Sequence, residues 1–302
     1  MIEEIAPGII IERSFEGANV GAIISDRGVV FVDTPRIPSQ ARAWLEEVRE
    51  YVGPSIPFLY VINTDHHKGH CLGNKYFGVP VIAHEQAWKH MRGYKENFKQ
   101  RLINSYKKKR PEVAKEFEDW EVVPPQITFQ RRMTIVKGDK IIRLIHVGGH
   151  TPATSLVYLP KQKVLFAGDC VLAEQHPFMA QANSKEWLDA LTAIRKLGDE
   201  IKIVPGHGPV TNRHATAALS EYIRTLRSKV RQCYHQGLTK QETAVALARE
   251  FIAWFPIPPE RRSKIESQVK QGIRRVYREV EIYESKKNKA NGDTEDEESA
   301  EE

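Results

Sequence analysis

Four apolar segments of this chain each end in a short loop rich in histidine, aspartate and glycine. This recurrence constrains the fold more than any other feature. IPFLYVIN (56–63) leads into Asp65-His66-His67-Lys68-Gly69-His70, and KIIRLIHV (140–147) into Gly149-His150-Thr151-Pro152. KVLFAGD (163–169) closes on Gly168-Asp169, and IKIVP (201–205) opens into Gly206-His207-Gly208. Continuous apolar runs of this length are expected of buried strands. Polar groups on loops at the ends of rigid strands can converge on one point. Imidazole and carboxylate together suit zinc, iron or manganese. Side chains two residues apart in an extended segment share a face, so Asp65 and His67 are expected to point together and His66 elsewhere. His70, a turn later, is placed to reach a second ion.

The rest of the chain supplies a frame for these loops. GIIIERSF, NVGAIIS and GVVFVDT read as three short β-branched strands separated by glycine or Asp-Arg-Gly turns. Ala41, Trp44, Leu45 and Val48 fall at helical spacing. Residues 85–120 form a charged helical insertion broken at Pro111, with Trp88, Tyr94, Phe98 and Tyr106 packing it down. After further strands, SKEWLDALTAIRKLG reads as a helix capped by Ser184 and stopped at Gly198. From about residue 213 the strands give way to three helices, one opened by a Thr239/Glu242 capping box. Two runs of strands, each followed by a helix, predict two sheets packed face to face with helices outside. Domain limits are expected at 1–212 for the strand-rich body and 213–285 for a C-terminal helical extension. The acidic residues 286–302 are expected to be disordered.

Taken in order, NTDHHKGH, GGHTP, FAGD and VPGHGPV resemble the metal motifs of the metallo-β-lactamase superfamily over roughly residues 5–212. Asp33 in FVDT is similar to that family's early structural aspartate. The resemblance implies an α/β (α+β) fold, a four-layer αββα sandwich with the site at one edge of the two sheets. It also implies a first ion held by Asp65, His67, His150 and Asp169. A second would be held by His70, His207 and Asp169, with Asp169 bridging. The chain departs from the family pattern H-x-H-x-D-H twice: Asp65 replaces the first histidine and Gly69 replaces the aspartate. Two acidic ligands remain, but site two keeps only two histidines and one carboxylate, and is expected to bind more weakly. Asp65 and Asp169 are the candidate catalytic residues. The sequence leaves open whether Asp65 is ligand, orienter or base.

The expected activity is metal-dependent hydrolysis of an ester, thioester, lactam, lactone or phosphoester. One or two Zn2+ ions, with Fe or Mn as alternatives, would lower the pKa of water to about 7 and so supply hydroxide. Rival readings are an iron-dependent oxidoreductase on the same fold, a nuclease, or a degenerate non-catalytic metal-binding protein. His176, in the loop after Asp169, is a weaker substrate-contact candidate for which ordinary loop packing is preferred. The net charge is +6, and removing the seven acids of residues 290–302 leaves +13. That body could attract an anionic small-molecule substrate. No recognition helix is apparent, so nucleic acid is not an expected partner, whereas a homodimer contact through the C-terminal helices is a candidate. No apolar run reaches the roughly 18–20 residues of a membrane helix. No secretory signal is evident in MIEEIAPGIIIERSF, and the three cysteines are widely spaced, so a cytoplasmic location is expected.

Overall fold

The computed structural model describes residues 2–298 except Glu174, with side chains through residue 287. The first half of the chain builds a seven-stranded sheet in sequence order. Its strands are β1 (Glu3–Ala6), β2 (Ile9–Glu12), β3 (Val20–Ser25), β4 (Gly28–Val32), β5 (Phe58–Ile62), β6 (Val81–His84) and β7 (Ile127–Phe129). β1 to β4 form an antiparallel meander, and β4 to β7 run parallel. The parallel steps need crossovers. Helix α1 (Pro38–Val52) makes the first and the short α2 (Lys68–Cys71) the second. The insertion makes the third, as α3 (Glu85–Met91), α4 (Glu96–Lys107) and α5 (Pro111–Glu116). Pro111 opens α5, where its missing N–H costs nothing.

The chain changes sheets between Phe129 and Arg132. The second sheet has the order β12-β11-β10-β9-β8. These strands are β8 (Arg132–Lys137), β9 (Lys140–His146), β10 (Ser155–Leu159), β11 (Val164–Leu172) and β12 (Lys202–His207). Only the β11–β12 pair is parallel, joined through α6 (Ser184–Arg195). Helices α7 (Ala215–His235), α8 (Lys240–Ile252) and α9 (Arg262–Glu298) follow.

Strand periodicity explains the layering. Ile9 and Ile11 of β2 face the second sheet, while Ile10 between them faces α1. On β4, Val30 and Val32 point inward, and Val29 and Phe31 point toward Trp44 of α1. Alternate residues point to opposite faces, and both faces are covered, so the strands are apolar throughout. Phe166, Val204, Val157 and Leu144 fill the space from the other side. The outer face of the second sheet packs Leu165, Ala167 and Val171 against α6 and the C-terminal helices in one continuous core. The four layers are therefore helix, sheet, sheet, helix. Trp44 and Trp187 are fully buried on the two outer faces, and truncating either to Ala would cost about 3–5 kcal/mol.

Thr239 and Glu242 form the expected capping box of α8, and His84 caps α3 by accepting from Gln86 N. One expected cap differs. The cap of α6 is Asn183, whose Oδ1 accepts from Glu186 N, while Ser184 is the first helical residue and pairs with Glu279 and Arg227. The backbone of α9 continues as helix through 286–298, a stretch read from the sequence as disordered. Residues 299–302 of that expected tail lie outside the described residues.

Candidate metal centre

The loops after β5 and β9 meet the middle of β11 and the last residue of β12 at one edge of the sandwich; β11 runs on to Leu172, past the Gly168-Asp169 end expected from the sequence, with its register against β12 shifted around Gly168. Asp169 is their centre. His70 Nε2 and His150 Nε2 each lie 3.3 Å from Asp169 Oδ2, and His207 Nε2 lies 3.5 Å from Oδ1. His67 Nδ1 faces His150 Nε2 at 3.1 Å. Two nitrogens each about 2.0–2.1 Å from a tetrahedral zinc would stand about 3.3–3.4 Å apart. The donor spacings are thus those of a shared ligand shell. Asp169 Oδ1, among these donors, is buried without a hydrogen-bond partner. Orphaned buried polar atoms are costly and need an explanation, and a cation among these donors provides one. The residues present therefore fit a divalent ion.

Electrostatics agree at Asp169 and His150, while at His70 a cation on Nε2 would have to take the place of a proton that its two carboxylates favour. Burial opposes ionisation of Asp169, yet His207, His70 and His150 hold its carboxyl well below the usual range. Burial lowers the His150 imidazole to about 4, which keeps it neutral and able to donate a lone pair. Burial would also lower His70, but Asp33 and Asp169, one on each ring nitrogen, raise it well above its ordinary value.

Asp33 is the structural aspartate expected from FVDT. It adopts φ +57°, an uncommon left-handed conformation for a residue with a side chain. Its Oδ2 lies 2.8 Å from His70 Nδ1 and accepts from Thr64 Oγ1, while its Oδ1 accepts from Thr64 N. An outer carboxylate on Nδ1 fixes the tautomer that leaves Nε2 free for a ligand bond.

Asp65 stands behind this group. It is fully buried, and its Oδ2 accepts from both Thr151 Oγ1 at 2.7 Å and Thr154 Oγ1 at 2.8 Å. Oδ1 accepts from His67 N at 3.1 Å. These bonds fasten the His67 loop to the His150 loop. Burial opposes ionisation here too, but His67, His66 and His150 hold the carboxyl below its ordinary range. Only Oδ1 keeps an uncommitted lone pair, 3.9 Å from His67 Nδ1. Anchoring is thus the visible role of Asp65, and ligation through Oδ1 stays geometrically open.

At Gly69 a Cβ would lie 3.1 Å from Ala18 N, and Gly69 O accepts the Ala18 N–H. The missing family aspartate coincides with a loop packed directly on that position. His66 points away from the face shared by Asp65 and His67, as read from the sequence, but into the protein. It is buried, stacked on His90 at 4.2 Å, and its Nε2 is 3.2 Å from Gln181 Oε1. Gln181 also meets His67 Nε2 at 3.0 Å. Gln181 and Thr154 had no sequence signal of their own, and Thr151 stands in the GGHTP motif without a role read for it there. His176 packs instead against Tyr222 and Phe255, with Nε2 3.1 Å from Phe255 O, the ordinary loop packing that was preferred.

Comparison with known proteins places these observations. A sequence profile of the metallo-beta-lactamase superfamily matches residues 14–207. A Caenorhabditis elegans protein described as a beta-lactamase-like protein 2 homolog is 30% identical over 93 residues. That match spans 30% of this chain and 30% of the relative. A metallo-beta-lactamase from Pontibacter korlensis superposes with a TM-score of 0.60 at 21% identity, covering 74% of this chain and 98% of that one. A stereoselective inverting sec-alkylsulfatase from Pseudomonas sp. superposes with a TM-score of 0.68 at 18% identity. This second match covers 92% of the present chain and half of the sulfatase chain, so it reaches into the helices after β12. At these identities the structural matches establish the fold. Among the described residues, no helix is long and apolar enough to cross a membrane.

Proposed function

Because the chain belongs to the metallo-beta-lactamase superfamily, whose members are generally metal-dependent hydrolases, we propose that it is a hydrolase working through the centre at Asp169. The observation that carries this reading is the convergence of His67, His70, His150 and His207 on one another and on Asp169 within 3.1–3.5 Å. His67, His150 and Asp169 would hold one divalent ion, and His70, His207 and Asp169 a second. Bound there, zinc or a similar ion polarises the electrophile and brings the pKa of water to about 7. The chain's own part is positional. Asp33 orients His70, and Asp65 with its two threonines holds the His67 and His150 loops in register. Trp187 packs edge-on against His150 at 5.1 Å and screens it from water.

His67 and His207 are the ligands that reach solvent, with side chains 21% and 35% exposed, so substrate enters on their side. That side is cationic. Arg261 neighbours His207; Lys68 has Arg36, Arg101 and Lys264 as electrostatic neighbours, and Lys264 has Arg261 and Arg36. The acid Glu16 is paired to Arg36 at 3.6 Å and offsets part of that charge. Partial desolvation and then these like charges push the Lys264 ammonium below its ordinary value. Such a rim favours an anionic substrate, which singles out phosphoesters and carboxylate-bearing esters or lactams among the candidates.

The test is metal content by elemental analysis, followed by a hydrolysis panel with wild type, His67→Ala and Asp169→Asn. Metal loss together with activity loss in both variants is expected. Full metal content in both would overturn the reading. The two-histidine, one-carboxylate set at His70, His207 and Asp169 is also one that iron uses. Colour, and iron content that tracks activity, would favour the oxidoreductase reading instead.

A further inference from the structure

His66 is the one imidazole of the 65–70 loop without a role in the centre described above, and its surroundings are unusual. The ring is 2% exposed. Nδ1 lies 3.3 Å from Asp65 Oδ1, yet it is not aligned as a hydrogen bond and has no other partner. On the far side of the ring, Nε2 meets Gln181 Oε1 at 3.2 Å, and the same oxygen meets His67 Nε2 at 3.0 Å. With one amide oxygen accepting from both rings, both Nδ1 atoms present lone pairs. The His66 lone pair then faces a carboxylate oxygen across a dry gap. Two acceptors so placed repel each other unless a cation lies between them.

We propose that Asp65, His66 and His67 form an additional seat for a divalent ion, with His66 as a metal ligand through Nδ1. This inference rests on reading the edge of the sandwich as a metal centre. One donor atom each of Asp65, His66 and His67 lie within 4.8 Å of one another, with Asp65 Oδ1 3.3 Å from His66 Nδ1 and 3.9 Å from His67 Nδ1, and one donor atom each of His67, His150 and Asp169 are as close. His67 belongs to both triads. A single imidazole nitrogen binds one ion, so the two seats are alternatives for the first ion.

The seat also gives the substitution at position 65 a chemical logic. Placing a carboxylate where the family has imidazole removes a nitrogen donor from the loop, and the neighbouring His66 restores it. Gln181 is then a positioning residue, because its carbonyl fixes the ring nitrogen that each histidine turns toward the ion.

The full-length chain, stripped with a chelator and titrated with Co2+, tests this. The readouts are the d–d absorption spectrum and the dissociation constant from chelator competition, with thermal melting to confirm folding. His66→Phe keeps the stack on His90 but removes both nitrogens. It is expected to weaken binding of the first Co2+ by about 10–100-fold and to change its spectrum. His150→Ala is expected to retain one Co2+ with an altered spectrum, and His66→Phe/His150→Ala to retain none at the first site. If His66→Phe fails to fold, Gln181→Leu carries the test, with weakened binding expected in the same direction. A wild-type spectrum and affinity in His66→Phe, or complete loss of the first Co2+ in His150→Ala alone, overturns the seat. Wild type that binds no Co2+ at all would instead defeat the underlying reading of a metal centre.

Discussion

Gly206 offers the sharpest steric test of the centre. A Cβ at this position would stand 2.0 Å from Asp169 Oδ1 and 2.8 Å from both Asp169 N and Gly168 C. Ordinary contacts begin near 3.4 Å, so in Gly206→Ala the carboxylate must retreat by about 1.4 Å. The neighbouring backbone of β11, paired in parallel with β12, must also give by several tenths of an ångström. Ligand distances tolerate only about 0.2 Å of error, so Asp169 would cease to serve three histidines at once. Overpacking of this kind costs about 1–3 kcal/mol, which in a chain of this size is a fall of about 2–5 °C in Tm. Metal affinity is expected to fall at least 10–100-fold, the loss seen even for outer partners of a ligand. Gly78→Ala serves as the control, because its Cβ meets open space and only its φ of +65° is strained. Elemental analysis after dialysis, chelator competition and thermal melting would be run on both. If Gly206→Ala retains wild-type metal content and Tm, the tight β11–β12 approach does not set the position of Asp169, and the reasoning fails.

Three further outcomes are expected. Asp33→Ala leaves His70 buried without its inner partner and should cost about 3–5 kcal/mol in urea unfolding; a loss below about 1 kcal/mol would contradict the role given to Asp33. Thr151→Val and Thr154→Val each remove one donor from buried Asp65 and should cost about 1–3 kcal/mol, with the double variant departing from additivity because the two hydroxyls share one oxygen. His84, stacked on His146 at 3.6 Å, is lowered by burial and then by that neighbour to about 4. Its unfolded form takes up a proton first, so stability should decline as pH falls from about 6.5 toward 4. His84→Asn, which can still cap α3, should flatten that decline, and an unchanged slope would count against the assignment.

The regular elements of this molecule were legible in its sequence. Unbroken runs rich in β-branched residues along 9–12 and 28–32 mark strands covered on both faces, and 3.6-residue spacing marks α1 and the C-terminal helices. His67, His70, His150, Asp169 and His207 were legible because each follows an apolar strand within a few residues. What was hidden depends on contacts between distant segments. Nothing near Asp65 announces that its oxygens are claimed by threonines more than eighty residues away. That His66 points elsewhere was legible, but not that Gln181 and His90, from distant segments, enclose it. Ser184 and Asn183 are equally good caps by residue type, and the choice is made by Glu279 and Arg227, which claim the serine. The switch of sheets after Phe129 has no local mark either, since 127–137 reads as two ordinary strands.

The ligands are divided between the halves of the sandwich. Those at 65–70 hang from the seven-stranded sheet, and His150, Asp169 and His207 from the five-stranded one. An ion at their junction would therefore act as a rivet across the seam. Slippage of one sheet over the other would open the coordination shell, and loading would resist such slippage. The apolar filling at Phe166 and Val204, far from any donor atom in chemical character, would then help to tune how tightly the edge grips its cation.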